Sequence, residues 1–148
     1  MPVVSVPFSG QGITLSYKVG LGSYIPITLI KDDSEFSGFE NMIIELKTLS
    51  AGVVTKIVGR TDSGSFSGSA YLVNADLGIS QLFSLFASKV TTLWQVQLPD
   101  GATNTTGTAY QFVGPISKLQ PGNFTGEDAP TLSFEIAISG FVTIVAAT

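Results

Sequence analysis

Four carboxylates crowd one short segment, KDDSEFSGFEN, running from Lys31 to Asn41: Asp32, Asp33, Glu35 and Glu40. Oxygen donors at that density are what a Ca²⁺ site is made of. Their intervals are not those of a calcium-binding loop, and a solvated acidic loop needs no ion. Phe36 and Phe39 stand among these charges. Two rings on a polar loop either fold back onto the core or enter a neighbouring molecule. A second constellation is Arg60 beside Asp62 in GRTDSG, which could set a carboxylate against a cation for acid–base work. The plain reading is a turn with a surface ion pair worth about 0–1 kcal/mol. Glycoside hydrolysis would need two acids roughly 5–10 Å apart across a cleft, and no motif pairs any of the eleven acids in that way. GQG at Gly10 and GLG at Gly20 lack the strand–turn–helix setting of a phosphate loop and read as strand turns.

The missing residue types exclude more. Without cysteine there is no disulfide, thiolate metal site or thiol nucleophile. Without histidine the commonest general base and metal ligand is gone. No catalytic, cofactor-binding or metal-binding residue is assigned, and no cofactor is expected. A carbohydrate-binding β-sandwich would use an exposed ring, for which Trp94 and Tyr110 are the candidates, against core packing as the plainer role of both. The Met1–Val6 start has no basic stretch leading into an apolar core, and no apolar run nears the ~20 residues of a membrane helix. The expectation is a chain of cytosolic origin with no membrane segment. The sequons at Asn104 and Asn123 would then be idle.

Charge is scarce. Charged residues make up 12% of the chain, against about 25% in ordinary soluble domains, while mean hydropathy is +0.40. A monomer of this mass exposes roughly 7,000 Å². A surface so poor in Lys and Glu is either covered by other protein, since interface centres are depleted in both, or belongs to a Ser/Thr-coated β-sandwich. The net charge of −4 and the single arginine argue against gripping nucleic acid.

The elements that would position these residues are mostly strands. Around SFEIAI, Leu132, Phe134, Ile136 and Ile138 alternate with Ser133, Glu135, Ala137 and Ser139. TLWQVQL opposes Trp94, Val96 and Leu98 to Gln95 and Gln97. SGSFSGSAYLV opposes Phe66, Ala70 and Leu72 to Ser65, Ser67, Ser69 and Tyr71. NMIIELKTL and GVVTKIVGR form a hairpin about Ser50–Gly52, and GITLSYKV, YIPITLI and GFVTIVAA are further strands, Pro26 pointing to an edge or strand-start position. One segment departs from this period: over residues 74–89, Ile79, Leu82, Phe83 and Phe86 form a helical stripe, capped by Asn74 or Asp76, with Lys89 in the last turn. Pro99, Asp100 and Gly101 read as a reversal joining two strands. The expectation is one mainly antiparallel β domain over residues 1–148, a β-sandwich or barrel-like fold with one flanking helix at about residues 76–89.

In this order the features resemble the tail tube (major tail) proteins of long, non-contractile bacteriophage tails. GQGITLSYKVG stands where the family runs Gly-x-Gly-Thr-x-Leu, followed by PITLIKDDSE, IIELKTLS and the turn-and-strand GRTDSGSFSGSAYLV. LGISQLFSLF matches the helix, QLPDG with YQFVGPISKL the next pair of strands, and GEDAPTLSFEIAISGFVTI the closing pair. The resemblance spans nearly the whole chain; Ala102–Ala109 is extra. It implies a structural virion protein, not an enzyme, whose copies form hexameric rings stacked into a hollow tube that conducts DNA from capsid to host. It implies partners in itself, a tape measure, a tail terminator and a distal tail protein, with assembly in the bacterial cytoplasm and residence in the virion tail. A tube of a phage-like bacteriocin or a type VI secretion system is the related alternative. On this view sheet edges join within a ring. The Lys31–Asn41 loop, with Asp32, Asp33, Glu35, Phe36, Phe39 and Glu40, reaches the next ring. The bore is lined by the Ser65/Ser67/Ser69 face or the Gln95/Gln97 face, and DNA passes without specific binding, a task that small, neutral or acidic groups suit because each Lys or Arg contact would add affinity for phosphate.

Overall fold

The computed structural model describes residues 13–27, 30–31, 33–48, 52–72, 77–99, 107–122, 124–127 and 129–146. Within them lie strands β1 (Thr14–Lys18), β2 (Ile25–Ile27), β3 (Glu35–Ser37), β4 (Glu40–Leu46), β5 (Thr55–Asp62) and β6 (Ser65–Tyr71), then helix α1 (Leu77–Ser88). After the helix come β7 (Thr92–Gln97), β8 (Ala109–Gly114), β9 (Ile116–Gly122), β10 (Thr131–Ala137) and β11 (Ser139–Val145). Three sheets result: five-stranded in the order β11-β8-β7-β1-β2, four-stranded in the order β3-β6-β10-β9, and a two-stranded ribbon of β4 and β5.

The period-2 pattern is realised where expected. Trp94 and Val96 of β7, Leu15 and Tyr17 of β1 and Phe112 of β8 point inward from the five-stranded sheet. Phe66 and Ala70 of β6 with Leu132, Phe134 and Ile136 of β10 point inward from the four-stranded one. Together they make one core, as two sheets packed face to face require. Trp94 is fully buried, its indole N–H donating to the Gly114 carbonyl at 3.0 Å and its ring 5.4 Å from that of Tyr17. It has no face left for a sugar. Pro26 sits on an edge strand, where its missing N–H costs no ladder bond.

Helix α1 lies across the opening between the sheets, against β2 and β9. It buries Ile79, Leu82 and Leu85, and the Tyr17 hydroxyl donates to the Gly78 carbonyl at 2.8 Å. The expected stripe is therefore rotated: Phe83 and Phe86 stay partly exposed, because Leu85 rather than either ring faces the sheets. Lys89 lies just past the last turn, with φ 58, donating its N–H to the Leu85 carbonyl as a left-handed cap. The proposed caps Asn74 and Asp76 fall outside the described residues.

Candidate assembly surfaces

All strand pairings are antiparallel. Direction therefore alternates along each sheet, and the number of strands decides how the two edges compare. In the four-stranded sheet the edge strands β3 and β9 run in opposite directions; in the five-stranded sheet β11 and β2 run the same way.

On the outer face of the four-stranded sheet the cross-strand rows are polar. One is Glu35, Ser67, Glu135 and Lys118 across β3, β6, β10 and β9; beside it run Ser37–Ser65–Ala137 and Ser69–Ser133–Gln120. The Ser69 hydroxyl is bound by the Asp33 carboxylate at 2.8 and 2.9 Å, which explains why this serine is buried on an outward face. Lys31 also reaches this face, its ammonium 5.6 Å from the ring centre of Tyr71. The outer face of the five-stranded sheet carries Ser16, Gln95, Gln111 and Thr143 in one row and Thr14, Gln97, Ala109 and Val145 in the next. Gln111 Nε2 donates to Gln95 Oε1 at 2.9 Å. The serine face and the glutamine face thus back onto opposite sides of one core, so a single bore takes one of them and not both.

The acidic segment is less of a loop than its composition suggests. Glu35–Ser37 is a strand paired to β6, because Phe36 alternates with two polar neighbours and enters the core, within 4.9 Å of the Phe66 ring and 5.3 Å of the Phe112 ring. Phe39 packs on Phe36 at 5.4 Å and remains 57% exposed. Glu40 opens β4, opposite Asp62; Asp32 lies outside the described residues. Arg60 and Asp62 form no ion pair: among the described residues the ion pairs are Glu45 with Lys47 and with Lys56. Asp62 instead accepts the Gly64 N–H at 2.8 Å, an Asx turn leading into β6. Just past β7, Leu98 N–H donates to the Thr108 carbonyl and carries the β7–β8 pairing one step further; Pro99 follows, and Asp100 and Gly101 are outside the described residues.

The surface that sequence reasoning did not single out is the β4–β5 ribbon. Met42, Ile43, Ile44, Leu46, Val53, Val54, Ile57 and Val58 are all exposed on it. Ile44 and Ile57 lie opposite one another on one face; Ile43 and Val58 on the other, beside the Glu45–Lys56 pair. Its signal was present: Met42-Ile43-Ile44 does not alternate, so both faces are apolar and both want cover. At its root an open groove of 600 Å³ runs between Glu40, Met42, Arg60 and Asp62 of the ribbon and Phe141 of β11. Burial pushes the Tyr24 phenol above its ordinary value, and Tyr24 lies on none of these surfaces.

No protein-family model matches the sequence, and no curated protein matches it either. Solved structures do match. A chain in the tail of the empty GTA particle, refined with C6 symmetry, superposes with a TM-score of 0.74 at 17% identity, covering 95% of this chain and 100% of that one. Chains of an extracellular contractile injection system, from its sheath-tube complex and its sheath/tube terminator in the extended state, each give 0.75 at 14% identity over 97% of this chain. The fold is a tail-tube fold. The expectation from sequence was narrower, a non-contractile tail. Since the likeness includes contractile particles, what holds is the broader tail-tube fold.

Proposed function

We propose that this chain is a structural tube subunit, not an enzyme, whose copies form stacked hexameric rings around a channel for DNA. The observation that supports this most is the fold likeness over nearly the full length of both chains, with neighbours drawn from assembled tails. The exposed apolar ribbon and the 12% charge content fit a molecule meant to be covered by its own kind.

The parity of the sheets argues for which one lines the bore. Rotation about an axis along the strands keeps their direction, so β9 of one copy meets β3 of the next antiparallel, and the four-stranded sheet continues around the ring in the same alternation. The five-stranded sheet would have to join β11 to β2 in parallel. The serine face is therefore our bore, lined by Ser65, Ser67 and Ser133 with Glu35 and Glu135. Lys118 and Lys31 share this face with Glu35, Glu135 and Asp33, so acids outnumber cations there and the hydroxyls do not hold phosphate. The ribbon, rooted at Phe39 and Glu40 in the segment expected to reach the next ring, is our inter-ring contact. Tape measure, terminator and distal tail proteins would meet the tube's ends, in a virion tail assembled in the bacterial cytoplasm.

Negative-stain microscopy of concentrated protein tests the assembly. Rings or tubes roughly 10 nm wide are expected for about six such domains around a bore; a strictly monomeric protein at all concentrations overturns the reading. Ser67→Lys in a tail-bearing particle should slow DNA ejection and Gln95→Lys should not; the reverse outcome moves the bore to the five-stranded sheet. The second reading, the tube of a contractile injection particle, is favoured by the likeness to such particles. Particles purified with a sheath and without DNA would select it.

A further inference from the structure

Among the described residues the two edge strands of the four-stranded sheet, β3 and β9, carry opposite charge. Glu35 is exposed on β3 and Lys118 is exposed on β9, at the two ends of one cross-strand row on the same face. Lys118 lies opposite Glu135 on β10, yet neither it nor Glu35 forms an ion pair among the described residues. Each of these edges therefore ends in an uncommitted charge, negative on one side and positive on the other.

Two prolines fix where an incoming strand can lie on β9. Pro115 precedes the strand and Pro121 falls near its end, and neither has an N–H to donate. Between them lies Ile116–Gln120, with Lys118 at its centre. The arriving edge is β3, three residues long. Placed antiparallel within that window, it sets Glu35 opposite residue 118, 119 or 120. Leu119 pairs with the inward Phe134 and so lies on the core face, which removes the middle choice because Glu35 points outward. The bulge at Ser117 turns Ile116 inward, so Glu35 opposite Lys118 would set the outward Ser37 against a core residue. In the register that remains Glu35 faces Gln120, Phe36 meets Leu119, and Lys118 is the diagonal neighbour of Glu35, about 7–8 Å away and within reach of a long side chain.

We propose, resting on the ring reading above, that Lys118 of each copy pairs with Glu35 of the next and sets the register and hand of ring closure. The partner is a second copy of this chain, and the contact is electrostatic specificity laid on a backbone ladder. Such a pair suppresses the wrong joins: β9 against β9 would set Lys118 near Lys118, and β3 against β3 would set Glu35 near Glu35.

Charge reversal tests it. Lys118→Glu and Glu35→Lys should each abolish rings at the concentration where the wild type is fully assembled, while the circular-dichroism melts of the dissociated subunits stay the same because both residues are exposed. The double reversal should restore rings. Zero-length carbodiimide coupling of wild-type rings should give a denaturing-gel ladder ending at the hexamer, with Lys118 joined to Glu35 in the peptide digest. Within one copy these residues are three strand spacings apart, roughly 14 Å, so that peptide reports only contact between copies. Single reversals that assemble like the wild type, a double reversal that does not recover, or a ladder lacking that peptide would each overturn the pairing while leaving the ring intact. A wild type that forms no ring at any concentration would instead remove the assembly reading, and the pairing with it.

Discussion

The ring of Phe36 stands edge-on to Phe66 and Phe112, and this fixes what its neighbours can do. Glu35 and Ser37 are held outward on a strand, and Phe39 stacks on the ring's free side. The turn that aligns β3 with β6 depends on Gly64, which has φ +69 and passes so close to β3 that a Cβ there would lie 1.9 Å from the Ser37 carbonyl oxygen. Gly64→Ala should therefore destabilise the fold by about 1–3 kcal/mol, combining left-handed backbone strain with a backbone clash. Gly140 has φ +82 and nothing within 4 Å of its missing Cβ, so Gly140→Ala should cost less. Urea midpoints of the two variants, measured side by side, check the order; equal losses would mean that the close approach to Ser37 has no energetic weight.

At the scale of elements, alternation in the sequence was enough to place β6, β7 and β10 and to orient their faces, since burial on one side leaves a period of two; β1 was legible as a strand, but its burial of Leu15, Ser16 and Tyr17 in succession was not. Orientation of α1 was less legible. Leu82, Phe83, Leu85 and Phe86 are all apolar, and only the contact with β2 and β9 shows that Leu85 faces inward and the two rings do not. The ribbon was legible as a hairpin but not as an arm, because its pattern describes two apolar faces and says nothing of who covers them. An isolated two-stranded ribbon is marginal in water, and on the proposed reading a neighbouring subunit covers β4 and β5. Ile57→Asp should leave the urea midpoint of the isolated subunit within about 0.5 kcal/mol and prevent ring stacking. A urea titration reads the first and sedimentation the second: rings that no longer elongate fit a stacking arm, and tubes of normal length would exclude it.

For the whole molecule, the absence of histidine and cysteine has a physical consequence. No side-chain type present has an ordinary pKa between about 5 and 8, so assembly and stability should be flat with pH across that range, apart from the amino terminus. Stability should fall instead in the alkaline range. Burial raises the Tyr24 phenol above its ordinary value, so its contribution is complete below the unfolded pKa near 10 and is lost as pH rises through the higher folded value. Thermal melts from pH 5 to 11 check this; a sharp loss of rings near pH 6.5 would contradict it. The same economy of charge leaves the four-stranded sheet with few ionic groups, which is why the opposed edge charges of Glu35 and Lys118 stand out.

Trp94 is the only tryptophan in the chain, and it is sealed in the core. Neither the ribbon, the serine face nor the β3 and β9 edges carries another. Its fluorescence should therefore be blue-shifted in the folded subunit, move to the red only when the subunit unfolds, and stay silent when subunits associate. Light scattering has the opposite blindness. Recorded together during dilution from urea, the two signals would time folding and polymerisation separately in the unlabelled wild-type protein.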